Sequence, residues 1–135
     1  MRSAAPCRAP IAKKTGFSHL VSAAGYSAAG LHYLFREAAF RQEILLGGAL
    51  LAMFAVLGVP ADAYIWQSIM LLLLAAAEAV NTAIELIVDR LSPDWSAFAK
   101  HAKDLGSFAV ACLILANLAH AALVVAHSDL AVLLR

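Results

Sequence analysis

Charge is what this sequence has least of. Only 14% of its 135 residues are Asp, Glu, Lys or Arg, while 63% are hydrophobic. A soluble domain carries about 25% charged and about 45–50% apolar residues. The interior of so short a chain cannot hide the excess, because a small globule is mostly surface. A soluble domain therefore does not fit, and a single-domain membrane protein does. Cysteine is also sparse. Cys7 lies in a polar tail and Cys112 in an apolar run, so neither a disulfide nor a metal-binding pair is expected. No apolar stretch precedes Cys7, which speaks against a lipidated N-terminus and a cleaved signal peptide. There is no P-loop, dinucleotide fingerprint or soluble-kinase signature. Nucleotide use cannot be read from motifs of that kind, and a net charge of +1 gives no reason to expect a nucleic-acid partner.

What is present falls into an ordered series. Residues 1–16, "MRSAAPCRAPIAKKTG", are basic, lack acids and hold two prolines, and read as a flexible tail attracted weakly to anionic headgroups. From residue 17 to 35, Phe17, Leu20, Val21, Ala24, Ala28, Leu31, Leu34 and Phe35 recur at helical spacing. Such a helix lies in the interface plane with its apolar face down. Three apolar segments follow. Ile44 to Val59 spans only ~24 Å, short for a ~30 Å hydrocarbon core, so the first span should begin near Glu37. The second runs from about Tyr64 to Leu91, with Tyr64 and Trp66 at a membrane interface. "SPDW" then breaks the helix, and the third runs from about Asp104 to residue 127. The expected spans are 37–59, 64–91 and 104–127, within one membrane domain covering 17–135. The expected fold is all-α, one surface helix and three transmembrane helices.

Basic residues set the orientation. The turn at 60–63 has neither Lys nor Arg, whereas nine of the ten lie before Ile44 or between 90 and 103. The positive-inside rule then puts the N-terminus and the 90–103 connection in the cytoplasm and the C-terminus outside.

The second span carries "LLLLAAAEAVNTAIELIVDR", residues 71–90. At about 100° per residue, Asn81, Glu85 and Asp89 fall at about −60°, −20° and +20° from Glu78, on one narrow face. Glu78 sits ~18 Å along the helix from Arg90. Carboxylates at such depth are costly and usually functional. Glu78 is the candidate proton acceptor, and Glu85, nearer water, a candidate metal ligand, two environments giving two roles. Mg²⁺ takes a few carboxylates plus phosphate oxygens and water, and Glu37 is placed to complete such a site. An ion pair with Arg90 at the membrane edge accounts for Asp89. Asn117 and His120 read as helix-bridging groups. Lys103 and Asp104, in "KHAKDLGS" (100–107), open the third span at the same face, where a lysine neutralises phosphate.

"AEAVNTAIELIVDRLSPDW" followed by "AKHAKDLGS", with "AAGYSAAGL" and "REAAFRQE" upstream, resembles the bacterial integral-membrane diacylglycerol kinase family from about Thr15 to His127. That resemblance implies a homotrimer in the bacterial inner membrane. It implies transfer of the ATP γ-phosphate to the primary hydroxyl of diacylglycerol, with Mg²⁺. By position, Glu78 would be the general base and Asn81 would orient the reacting groups. Glu37 and Glu85 would hold Mg²⁺, Lys103 would meet the ATP phosphates, and Asp104 would lie in the nucleotide site. Gln42, Glu43 and Ser107 fall in matching motifs and are assigned to substrate binding. His19, Ser22, Ser96 and His101 depart from the family pattern and bear on the fine nucleotide contacts.

Two other readings compete. The undecaprenol kinase branch shares "NTAIE" and an "SPxx" loop, though "GYSAAGLHYLFREAAFRQE" favours the diacylglycerol branch. A small oligomeric proton or cation conductor also uses a mid-membrane Glu. A relay should continue outward, however, and the outer half of the second span is Leu and Ala.

Overall fold

The computed structural model describes residues 16–133; the expected basic tail therefore lies outside the described residues apart from Gly16. Four helices follow one another, α1 (Phe17–Leu34), α2 (Ala38–Leu57), α3 (Ala61–Leu91) and α4 (Ala97–Leu133). There is no strand among the described residues. Two compact units divide the chain, one ending at His32 and the other starting at Tyr33.

The first unit is nearly all of α1. It exposes Leu20, Val21, Tyr26 and Leu31. Ser22 and Ser27 turn their hydroxyls back onto the Ser18 and Ala23 carbonyls (2.9 and 3.1 Å). Both serine hydroxyls are thus satisfied by their own helix, as suits a segment in contact with lipid.

The second unit holds three helices long and apolar enough to cross a membrane. In lipid every backbone N–H and C=O must be satisfied within the segment, which helices do. Only 28%, 28% and 17% of the residues in their most apolar windows are buried, so most of the surface remains for lipid or further protomers. Most packing is between α3 and α4, with α2 laid against both.

Local chemistry sets the helix ends. Gly58 takes the left-handed conformation (φ 61°, ψ 36°), and the Val59 N–H reaches the Phe54 carbonyl at 3.3 Å. This closes α2 as glycine-terminated helices commonly close. Pro60 then opens α3, its carbonyl accepting from Ala63 N–H at 3.1 Å. At the other end, Ser92 and Pro93 stop α3. Ser96 caps α4 by accepting from the Ala99 N–H at 3.1 Å, and its hydroxyl meets that of Ser92 at 2.9 Å. That cap explains why α4 begins at Ala97 rather than near Asp104, where the apolar run starts. A capped "AFAKHAK" continues the helix outward on its own propensity.

The core sits toward the Gly58 turn. Leu50, Phe54, Val59, Ala63 and Ala121 bury one another, with Tyr64 edge-on to Phe54 at 5.7 Å between centroids. Lipid is as apolar as leucine, so close packing and hydrogen bonds hold these helices rather than escape from water. Gly47 marks one close approach, since a Cβ there would stand 3.0 Å from the Leu71 Cδ2.

Candidate functional site

The stripe read from α3 turns inward. Glu78 is 4% exposed, Asn81 8% and Thr82 7%, values that separate them from the neighbouring Val80 at 60%. They line a cavity of about 300 Å³ together with Glu37, Glu85 and Ser107. Each element supplies its part for a local reason. Glu37 is the residue before α2, in extended conformation, and its carboxylate makes no capping hydrogen bond. It borders the cavity instead. α3 presents Glu78, Asn81, Thr82 and Glu85 from successive turns of one face. α4 adds Ser107 one helical turn past Lys103.

Glu78 is close enough to Glu37 and Glu85 for their charges to act on one another. Asn81 donates from Nδ2 to Glu85 Oε1 at 3.1 Å, while its Oδ1 is buried and meets no donor. Glu43, 8% exposed on α2, also has a buried oxygen, Oε2, without a hydrogen-bond partner. Buried carboxylates near one another require a cation, a proton or a donor. No three His, Cys, Asp or Glu side chains among the described residues form a metal cage. Two carboxylates beside a polar cavity nevertheless fit Mg²⁺, which completes its shell with phosphate oxygens and water.

Other expected residues stand elsewhere. Asp89, at the exposed end of the stripe, does not need Arg90 to explain it: it pairs across helices with Lys103 at 2.5 Å. Asp104 pairs with Lys100 at 2.6 Å, one turn along α4. Lys103 and Asp104 thus lie outside the cavity lining, though Lys103 is within electrostatic reach of Glu85. Gln42 is exposed on α2, and Glu43 faces a separate apolar cavity of about 230 Å³ with Phe40, Gly47 and Leu74. Ser96 serves as the cap described above, and His101 is exposed.

Thr82 escaped the sequence reading, although it follows Asn81 at about +40° on the same face. Gln67 escaped it too. It is fully buried, donates to Asn117 Oδ1 at 2.6 Å and meets His120 Nδ1 at 2.9 Å through Oε1. Asn117 in turn donates to the Met70 and Leu113 carbonyls at 3.2 and 2.8 Å. Asn117 and His120 do bridge helices, and a lone Gln in an apolar run gave the only available hint of their partner.

The family model for prokaryotic diacylglycerol kinase matches residues 25–125. The chain belongs to the prokaryotic diacylglycerol kinase family. The matched stretch includes every residue that lines the carboxylate cavity, and it bears out the resemblance carried by "AEAVNTAIELIVD". Among relatives within the diacylglycerol kinases, that of a Sinorhizobium species is 50% identical over 116 residues, 86% of this chain and 85% of the relative. The diacylglycerol kinase of Pseudomonas aeruginosa is 40% identical over 74% of this chain and 82% of its own length. That of Escherichia coli K12 is 39% identical over 75% of this chain and 84% of its own.

Proposed function

We propose that this chain, a diacylglycerol kinase by family, is an inner-membrane enzyme that moves the γ-phosphoryl group of ATP to the primary hydroxyl of diacylglycerol, giving phosphatidic acid. The observation that carries the mechanism is the cavity in which Glu78 lies buried among Glu37, Asn81 and Glu85. In this reading the lipid hydroxyl enters from the bilayer and gives its proton to Glu78. Its oxygen bonds the γ-phosphorus as the bond to the ADP oxygen breaks. Phosphoryl transfer leaves the protein mostly positioning and charge neutralisation to perform. Asn81 orients the reacting groups through the amide it shares with Glu85. Lys103 exchanges Asp89 for the ATP phosphates, and Asp104 borders the nucleotide. Gln42, Glu43 and Ser107 contact the substrates. Glu37 and Glu85 would hold Mg²⁺, which when bound offsets the charge of the phosphate oxygens.

The basic residues support a cytoplasmic face for this end. Arg36, Arg41, Arg90, Lys100 and Lys103 all belong to the helix ends and loop around the cavity, while the 58–60 turn has none. By the positive-inside rule the N-terminus is cytoplasmic and the C-terminus periplasmic. A homotrimer fits the large unburied share of the three spans. No observation favours a conductor, since Gln67, Asn117 and His120 on the other half are bonded to one another.

The test is direct. Purified protein in detergent receives Mg²⁺, γ-labelled ATP and diacylglycerol, with undecaprenol offered in parallel. Labelled phosphatidic acid is the expected product. Label on undecaprenol alone, or on neither lipid, would overturn the proposal.

A further inference from the structure

The geometry assigns Gly106 as a positioning residue that acts through Asn81: the missing side chain is the space in which the Asn81 amide sits. The inference rests on the functional reading above, in which Asn81 orients the reacting groups.

Gly106 is buried on α4 where it crosses α3. It needs no special backbone conformation there. What it supplies is room. A Cβ built on it would collide with Asn81 Oδ1 and stand 3.2 Å from Asn81 Cγ and 3.7 Å from Asn81 Cβ. All three of the nearest atoms belong to this one side chain. The backbone of α3 is not among them. The colliding atom is also the buried oxygen that lacks a hydrogen-bond donor, at the tip of an amide whose nitrogen holds Glu85. Nothing on the Gly106 side grips that oxygen, so the packing of the glycine is what limits where it goes.

The surroundings decide what an added methyl group would do. Asn81 borders two spaces. One is the carboxylate cavity with Glu78 and Glu85, and the other is a cavity of about 600 Å³ flanked by Ala76, Ala77, Ala102 and Ala109. An amide pushed from Gly106 has somewhere to go, because the second space is large and borders Asn81 directly, with four alanines beside Val80, Ile84 and Leu105 in its walls. Gly106→Ala is therefore relieved by a rotation of Asn81 rather than by parting the helices. The rotation takes Nδ2 from Glu85 and the amide from the reacting groups. Displacements of about 1 Å in such a site cost on the order of 10²-fold in rate.

The experiment is a double-mutant cycle on the full-length protein in detergent, with kcat, both KM values and the thermal midpoint read for Gly106→Ala, Asn81→Ala and the pair. The expected result is that Gly106→Ala lowers kcat on the order of 10²-fold, leaves both KM values and the midpoint near wild type, and costs nothing further in the Asn81→Ala background. Independent, multiplying losses would overturn the inference, as would full activity of Gly106→Ala. If Gly106→Ala does not fold, the pair decides: recovery of the fold once Asn81 is shortened supports the contact, and no recovery makes Gly106 a general packing residue and refutes it. Wild-type activity of Asn81→Ala would instead refute the underlying functional reading, a separate outcome.

Discussion

Lys103 on α4 meets Asp89 on α3 at 2.5 Å, joining the exposed end of the carboxylate stripe to the opening of the third span. The pair lies beside the cavity and outside its lining, with 38% of the lysine side chain and 64% of the aspartate exposed. At that exposure the two charges are screened by water and salt, and the pair does little for stability. Its consequence is for function, since it parks an ammonium next to the site proposed for phosphate. Lys103→Ala should reduce turnover on the order of 10²-fold or more, whereas Asp89→Asn should leave the thermal midpoint in detergent unchanged. A fall in midpoint with either variant, without loss of turnover, would make the pair structural.

Glu78 is the buried carboxylate proposed to take the proton of the lipid hydroxyl. Glu78→Gln keeps the volume and the capacity to hydrogen-bond but takes no proton. Loss of a positioned general base typically costs 10²–10⁴-fold, so kcat should fall by about that factor while helicity and oligomeric state stay as in the wild type. Quench-flow or steady-state assays with labelled ATP read the first, and circular dichroism with light scattering the second. Full turnover would remove Glu78 as base.

Glu37 and Glu85 reach the same cavity from different elements, one just before the start of α2 and one fewer than two turns before the end of α3. Each neutral substitution, Glu37→Gln or Glu85→Gln, should raise the Mg²⁺ concentration at half-maximal velocity by roughly tenfold, the equivalent of about 1.4 kcal/mol. The titration is run at saturating ATP and lipid. An unchanged Mg²⁺ curve in both variants would put the metal elsewhere.

Much of this site was legible because helical periodicity needs only one helix. The 100° step places Glu78, Asn81, Glu85 and Asp89 on one face whatever the neighbours do, and burial of the first two agrees with it. Relations between helices were not legible in the same way. The partner of Asp89 depends on the register of α4 against α3, which is set by the Ser92–Ser96 connection and by close approaches such as Gly106 on Asn81. A sequence pattern carries no such register. Gln67 shows the same limit: an isolated amide in an apolar run says that some partner exists, and only the packed helices show that it is Asn117 and His120. The early start of α4 was hidden for another reason. Hydropathy marks where lipid begins, and a capped polar turn extends a helix beyond it.

The Gln67–Asn117–His120 group supplies the contrast that separates structure from chemistry. It lies on the half of α3 and α4 away from the carboxylate cavity, and Gln67 and Asn117 are fully buried. Interhelical hydrogen bonds within membranes contribute about 0.6 to 2 kcal/mol each. Gln67→Ala deletes both the bond to Asn117 and the one to His120 and leaves their polar atoms unpaired in an apolar interior. Stability should fall by about 1–3 kcal/mol, the usual cost of orphaned buried polar groups, read as a lower midpoint in thermal or denaturant unfolding from detergent. Asn117→Leu should behave similarly, because Met70 and Leu113 then lose the amide that reaches their carbonyls. Below the unfolding transition both variants should keep wild-type kcat and KM for ATP and lipid, since neither residue touches the proposed site. A selective loss of kcat at unchanged stability would instead tie the outer half of the bundle to the reaction, and the division between a holding half and a reacting half would fail.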